Sequence, residues 1–213
     1  MRQLVLAGVV FAMLVVAGCK SVYYSTMEAF GSEKRDILNS RLVDARDSQK
    51  QAQQQFKTTM QRFKELTGFQ GGDLESKYNT LKGQYDSCES RSKAVSSRIN
   101  SLDEVAKDLF TEWRSELAQY QDDKLRAASE RKLEDTRAKY RDVLASMKRA
   151  EASMQPVLAK FHDQVLFLKH NLNASALDSL HASTAGIESD VSSLIREMEA
   201  SIAETDKFIA TLK

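Results

Sequence analysis

Apolar residues return alternately four and three positions apart through four long stretches of this chain, and that spacing leaves little choice of fold. One stretch steps through Leu74, Tyr78, Leu81, Tyr85, Cys88, Ser92, Val95, Ile99, Leu102, Ala106, Leu109 and Trp113, with Ser92 its only polar member. A second runs Leu133, Arg137, Tyr140, Leu144, Met147, Glu151, Met154, Leu158, Phe161, Val165, Leu168 and Leu172, interrupted by the charges of Arg137 and Glu151. Leu38, Leu42, Ala45, Gln49, Ala52, Phe56, Met60 and Phe63 make a third seam, and Ile187, Val191, Leu194, Met198 and Ile202 a fourth. This heptad spacing holds one stripe of an α-helix against a partner helix; a half-buried strand would alternate with period two. Eight glycines and one proline in 213 residues are also too few turn formers for a sandwich, a barrel or a doubly wound sheet.

Breakers divide the seams into four helices, at about 32–67, 73–120, 123–171 and 175–212. The first turn is Thr67-Gly68-Phe69-Gln70-Gly71-Gly72-Asp73, where Asp73 is placed to cap the next helix. A weaker turn lies at Tyr120-Gln121-Asp122-Asp123. The last is Asn171-Leu172-Asn173-Ala174-Ser175, where Ser175 and Asp178 approximate a capping box. Pro156 removes one backbone hydrogen bond inside the third helix, which predicts a kink near residues 152–156.

Short connections make neighbouring helices antiparallel. Counting outward from the turns places Ser32 beside Asp108, Asp108 beside Asp135, and Leu212 beside Glu134. Beyond that shared level the central hairpin, about 109–134, projects by roughly 20 Å at a rise of 1.5 Å per residue. The expected architecture is all-α: a long antiparallel coiled coil or four-helix bundle with a projecting central hairpin.

The hairpin is rich in Leu109, Phe110, Trp113, Leu117, Tyr120, Leu125 and Leu133. Three readings stand open. Tyr23, Tyr24, Met27 and Phe30 continue the first helix and cover it; the cluster is a surface for a partner or for self-association; or Trp113 and Tyr120 contact a bilayer.

The amino terminus supplies an address. One positive charge at Arg2, an apolar run from Leu4 to Val16 and the small residues Ala17 and Gly18 read as a secretory signal, too short for a spanning helix. Val16-Ala17-Gly18-Cys19 resembles a bacterial lipobox, so Cys19 is the expected lipidation site after removal of residues 1–18. Several acyl chains anchor firmly because each buried methylene adds about 0.8 kcal/mol. Lys20, rather than aspartate, follows the cysteine, which by resemblance to enterobacterial sorting rules favours the outer membrane, periplasmic face. The expected organisation is a signal peptide at 1–18, a tether at 19–31 and one helical domain at 32–213. Cys88 is then the lone free thiol, on an apolar seam, so no internal disulfide or paired-cysteine metal site can form.

Chemistry is harder to find. Lysine and arginine total 31 against 30 acidic residues, a net charge of +1 that argues against a dedicated nucleic-acid binder. No glycine-rich phosphate loop precedes a Lys-Ser or Lys-Thr pair, and no nucleophile elbow is present. His162 and His170 are two helical turns apart, and His181 lies across the last turn; a metal site from His170 and His181 lacks any histidine pair at helical ligand spacing. The third helix is basic between Lys124 and Arg149 and the fourth is acidic, a complementarity suited to helix pairing. A non-enzymatic chain without cofactor is expected, acting as a spacer or interaction module for an envelope protein. The alternative is a lipid- or small-molecule-binding bundle with an apolar channel lined by Met147, Met154, Phe161 and Phe167.

Several segments carry a family resemblance: Tyr23-Tyr24, Lys34-Arg35-Asp36-Ile37-Leu38, Gly71-Gly72-Asp73-Leu74-Glu75, Leu168-Lys169-His170-Asn171-Leu172-Asn173-Ala174, and Ile195 through Ile202. Over nearly its whole length the chain resembles domain-of-unknown-function family 2959, helical lipoproteins or exported proteins of Gram-negative bacteria. The resemblance implies an exported helical protein and brings no residue roles with it. Two of these segments, including Lys169, His170 and Asn171, fall at the end of the bundle opposite the anchor. That end is a second candidate interaction surface beside Phe110, Trp113, Leu117 and Tyr120.

Overall fold

The computed structural model describes residues 34–68 and 73–212, with backbone alone at 174–176. The expected signal segment, Cys19 and the segment 19–31 lie outside the described residues. Four α-helices make up almost all of it: α1 (Lys34–Thr67), α2 (Leu74–Glu116), α3 (Asp123–His170) and α4 (Ala174–Leu212), with a 3-10 turn at Leu117–Gln119. α2 ends four residues earlier than its sequence pattern suggests because the chain tightens into that turn before Asp122 starts α3. The Asp122 carboxylate accepts from the backbone N–H of Lys124 at 2.7 Å and of Leu125 at 3.1 Å, while Asp73 caps α2 by accepting from Ser76 N–H at 3.0 Å. Both acids also sit at the positive end of a helix dipole.

Each helix packs against two others, α1 on α2 and α4, α3 on α2 and α4, giving an up-down-up-down bundle. Cross-helix contacts fix the antiparallel register. Thr59 meets Cys88 at 3.0 Å between α1 and α2, and Tyr140 donates to Asp103 at 3.2 Å between α3 and α2. Arg46 pairs with Asp206 at 2.7 Å, and Lys64 with Glu188, between α1 and α4. Lys160 pairs with Asp190 between α3 and α4. The basic and acidic helices are therefore neighbours, as their charges imply. No helix of the described residues is long and apolar enough to cross a membrane.

The seams of α1, from Leu38 to Phe63, and of α2, from Cys88 to Ala106, are buried at both heptad positions, whereas on α3 one position holds and the other partly moves. On α3, Leu133, Tyr140, Met147, Met154, Phe161 and Leu168 are buried as the seam requires. The second position, however, shifts to Thr136, Val143 and Ala150, one residue earlier than Arg137, Leu144 and Glu151, and at the next turn Val157 and Leu158 are both buried. Arg137 and Glu151 thus flank the stripe instead of interrupting it. After Phe161 the partner becomes Val165, four residues on, the direction in which a helix of 3.6 residues per turn drifts against a seven-residue repeat. On α4 the same correction replaces Ile202, half-buried, by Ser201 and Thr205, both fully buried.

Pro156 stands inside α3, which is continuous across it. The proline and Ala152, whose carbonyl loses its helical donor, are both on the exposed face, where water can take the freed acceptor.

Two aromatic clusters mark levels of the core. Phe161 lies between Phe56 and Phe63, at centroid distances of 6.5 and 6.3 Å; nearer the hairpin, Tyr140 touches Phe110 at 5.5 Å and Phe208 at 6.4 Å. Between these levels lies a buried polar layer. The Gln49 side-chain amide meets the Ser201 hydroxyl at 3.1 Å, and Thr205 donates to the Ser201 carbonyl at 2.8 Å. A polar pair matched across α1 and α4 penalises register slips that would bury either group alone.

Candidate functional site: the two ends of the bundle

At one end α1 begins and α4 finishes while the α2–α3 hairpin continues. Lys34, the first described residue, pairs with Glu112 at 2.9 Å. Among the described residues, α3 runs on from Leu133 back to Asp123 with α2 and the 3-10 turn alone, for about 15 Å. The projection expected from residue counting is present.

Where the four helices part, a groove of about 310 Å³ opens, with Leu109, Trp113 and Leu212 among its lining and Arg35, Glu116 and Lys132 as charged members. Trp113 is half-buried and its indole N–H donates to Ser129 at 2.9 Å, which holds the ring against α3. Leu117 is half-buried; Tyr120 and Leu125 are 40% and 58% exposed. Phe110 is different. It is 8% exposed and packed on Tyr140, so it belongs to the core and offers no surface to a partner.

The opposite end carries Lys169, His170 and Asn171. Asn171 closes α3, its backbone N–H donating to Leu168 O at 3.1 Å and its side-chain amide to Phe167 O at 2.9 Å. Lys169 and His170 are exposed, as are the neighbouring Leu166, Phe167 and Leu172, which are 40–46% exposed. Lys169 and His170 also complement the negative end of the α3 dipole. His181 is exposed on α4, and no group of three His, Cys, Asp or Glu among the described residues is arranged to hold a metal.

The four channel residues do not share a face. Met147, Met154 and Phe161 are at most 1% exposed in close packing, whereas Phe167 lies on the outer surface.

Sequence reasoning did not anticipate a second groove, about 350 Å³, on the outer face between α2 and α3. Tyr85 and His162 stand 5.6 Å apart in it, and Gln155 reaches Ser92 at 3.4 Å. Glu89 there is paired with Lys93 at 3.1 Å. Ser92, the single polar step of the α2 seam, was the one signal pointing to it. Nearby, Cys88 is sealed in. Burial pushes its thiol up to about 11, against a weaker opposing effect of the Thr59 hydrogen bond, so the nucleophilic thiolate is disfavoured.

No curated protein matches this chain, and no solved structure matches it. A family model does, over residues 23–212, which takes in both ends of the bundle and all four helices. The chain belongs to the family described as proteins of unknown function, DUF2959.

Proposed function

We propose that the chain is a non-enzymatic, lipid-anchored rod on the periplasmic face of the outer membrane, fixed through Cys19 and presenting its distal turns to an envelope protein. The observation that carries this reading is the position of the start of α1. α1 starts at the hairpin end, so the segment bearing the lipobox cysteine enters the bundle there, and we take the anchor to lie at that end. The distal turns lie about 50 Å away, the length of the 34 residues of α1 at 1.5 Å each. Alternating cross-helix ion pairs and a filled core suit a stiff spacer, and the exposed Lys169, His170 and Phe167 give the far end both charge and apolar surface.

Photo-crosslinking in intact cells from Lys169 and from Leu125 tests the reading. A discrete protein adduct from Lys169 is expected. Absence of any protein adduct at the distal end would remove the interaction module. Incorporation of a fatty-acid probe should be lost in Cys19→Ala; a wild-type chain that takes up no probe would remove the anchor.

A further inference from the structure

The groove on the outer face between α2 and α3 belongs to neither end of the bundle, and small residues make room for it. Ser92 stands where the α2 seam otherwise carries an apolar side chain, and Ala159 is its small counterpart on α3. Tyr85 and His162 stand towards one end of the groove, their rings 5.6 Å apart and tilted by 49°, and Ser92 with Gln155 stands towards the other. Seven steps along α2 separate Tyr85 from Ser92, which is about 10 Å of helix. The volume of about 350 Å³ falls at the lower end of the roughly 300–1,000 Å³ of small-molecule sites.

The chemistry of the lining excludes several kinds of occupant. Lys93 is already held by Glu89 at 3.1 Å and His162 lies 3.8 Å from Asp163, so a phosphate finds no uncommitted cation in the lining. No group of three His, Cys, Asp or Glu among the described residues is arranged for a metal. Leu158 is the one large aliphatic residue there and is only 7% exposed, too small a floor for an acyl chain. What remains is an aromatic corner beside hydrogen-bonding groups of both senses: Glu89 and Asp163 accept, while Ser92 and Gln155 both donate and accept. That mixture suits a pyranose ring, whose C–H face packs on the negative face of an aromatic ring while its hydroxyls bond to polar side chains. The Ser92 hydroxyl lacks a good partner of its own. Ser92 is 2% exposed, and the Gln155 amide reaches it at 3.4 Å, longer than the roughly 2.9–3.0 Å of a well-formed N–H···O bond.

We propose that this groove binds a neutral saccharide of two linked pyranose rings, one packed on Tyr85 and the other hydrogen-bonded to Gln155 and Ser92. The separation of the aromatic and polar ends sets the length of the ligand, and the paired charges select against ionic ones. Binding on the side of the rod needs neither a lipid on Cys19 nor a partner at the distal turns, so it and the proposed function fail separately.

Saturation-transfer difference NMR tests the proposal on the full-length protein, purified in a detergent without a sugar headgroup. The probes are cellobiose, maltose and chitobiose at millimolar concentration, with octanoate as the apolar comparison. Transfer to the ring protons of at least one disaccharide is expected, and none to octanoate. Ala159→Leu fills the groove and Gln155→Ala removes its amide, both at exposed positions, so each should keep the wild-type helical melting and weaken sugar binding by about tenfold. Leu125→Ser, at the hairpin tip, should bind as the wild type does. No transfer to any of the three disaccharides would overturn the proposal. So would sugar binding that is unchanged in both groove variants, or transfer to octanoate in place of the sugars.

Discussion

In the body of the bundle every layer is closed by four helices; at the hairpin end, among the described residues, the same seams are closed by two. In the body, Phe56, Phe63 and Phe161 are at most 1% exposed. At the hairpin end Trp113 and Leu117 are half-buried, and Leu125 and Tyr120 face outward. The seam alone does not distinguish them, since Trp113 follows Leu109 on the same rule that places Phe161 after Leu158. What differs is the number of neighbours among the described residues, four helices in the body and two at the hairpin end. The body is where sequence spacing turns into stability, and the hairpin end is where it leaves surface to be used.

The contrast is challenged most forcibly in the body. Phe161→Ala opens a cavity between two rings and should cost about 3–5 kcal/mol, read as a large fall in the urea midpoint by circular dichroism. A loss as small as that of a hairpin substitution would mean the body is not the stable part.

Next in size is the polar layer. Gln49→Leu leaves the buried Ser201 hydroxyl without its partner and should destabilise by about 1–3 kcal/mol. Adding Ser201→Ala should restore most of the loss, a coupling that a double-mutant cycle measures directly.

Alkaline pH acts on the body too. The folded state holds the Cys88 proton up to about 11, whereas the ordinary thiol value is 9.0. Its contribution is therefore complete below about pH 9 and is lost as the pH rises towards about 11. Tyr140, raised first by burial and then by Asp103, acts with the same sign at higher pH. Urea midpoints measured across that range should fall, and Cys88→Ala should flatten the lower part of the decline.

At the hairpin the effects shrink. Asp122→Ala removes the cap of α3 and should cost about 1 kcal/mol, seen as faster protease nicking near residue 121 with little change in the melting of the body. Leu125→Ser should change stability by less than about 0.5 kcal/mol, since its side chain is largely in water already. A large loss from Leu125→Ser would show that the tip is covered more completely than its exposure indicates.

Much of the body was legible because period and breakers are local properties. Asp73 announced the start of α2 and the turn at 120–123 the start of α3, and the seams of α1 and of the body of α2 fell where the spacing placed them at both heptad positions. Part of the second position was not legible on α3, since Leu144 is apolar while Thr136 is polar; choosing between adjacent residues depends on helix drift and on the facing helix. On α4 the spacing favoured Ile202 over Ser201, and only Gln49 on another helix explains the buried serine. Phe110 read as hairpin surface because its partner Tyr140, which also touches Phe208 of α4, approaches through the fold. The groove of Tyr85 and His162 depends on the separation of two helices, which no single seam encodes.

The proposed role depends above all on orientation, with the hairpin end at the membrane and the distal turns standing away from it. Labels at Leu125 and at Lys169 are roughly 65 Å apart along α3 at 1.5 Å per residue. Energy transfer from each to a dye in vesicles carrying the acylated full-length protein measures which end is near the bilayer. Strong transfer from Leu125 and little from Lys169 is expected; equal transfer from both, or stronger transfer from Lys169, would contradict this orientation.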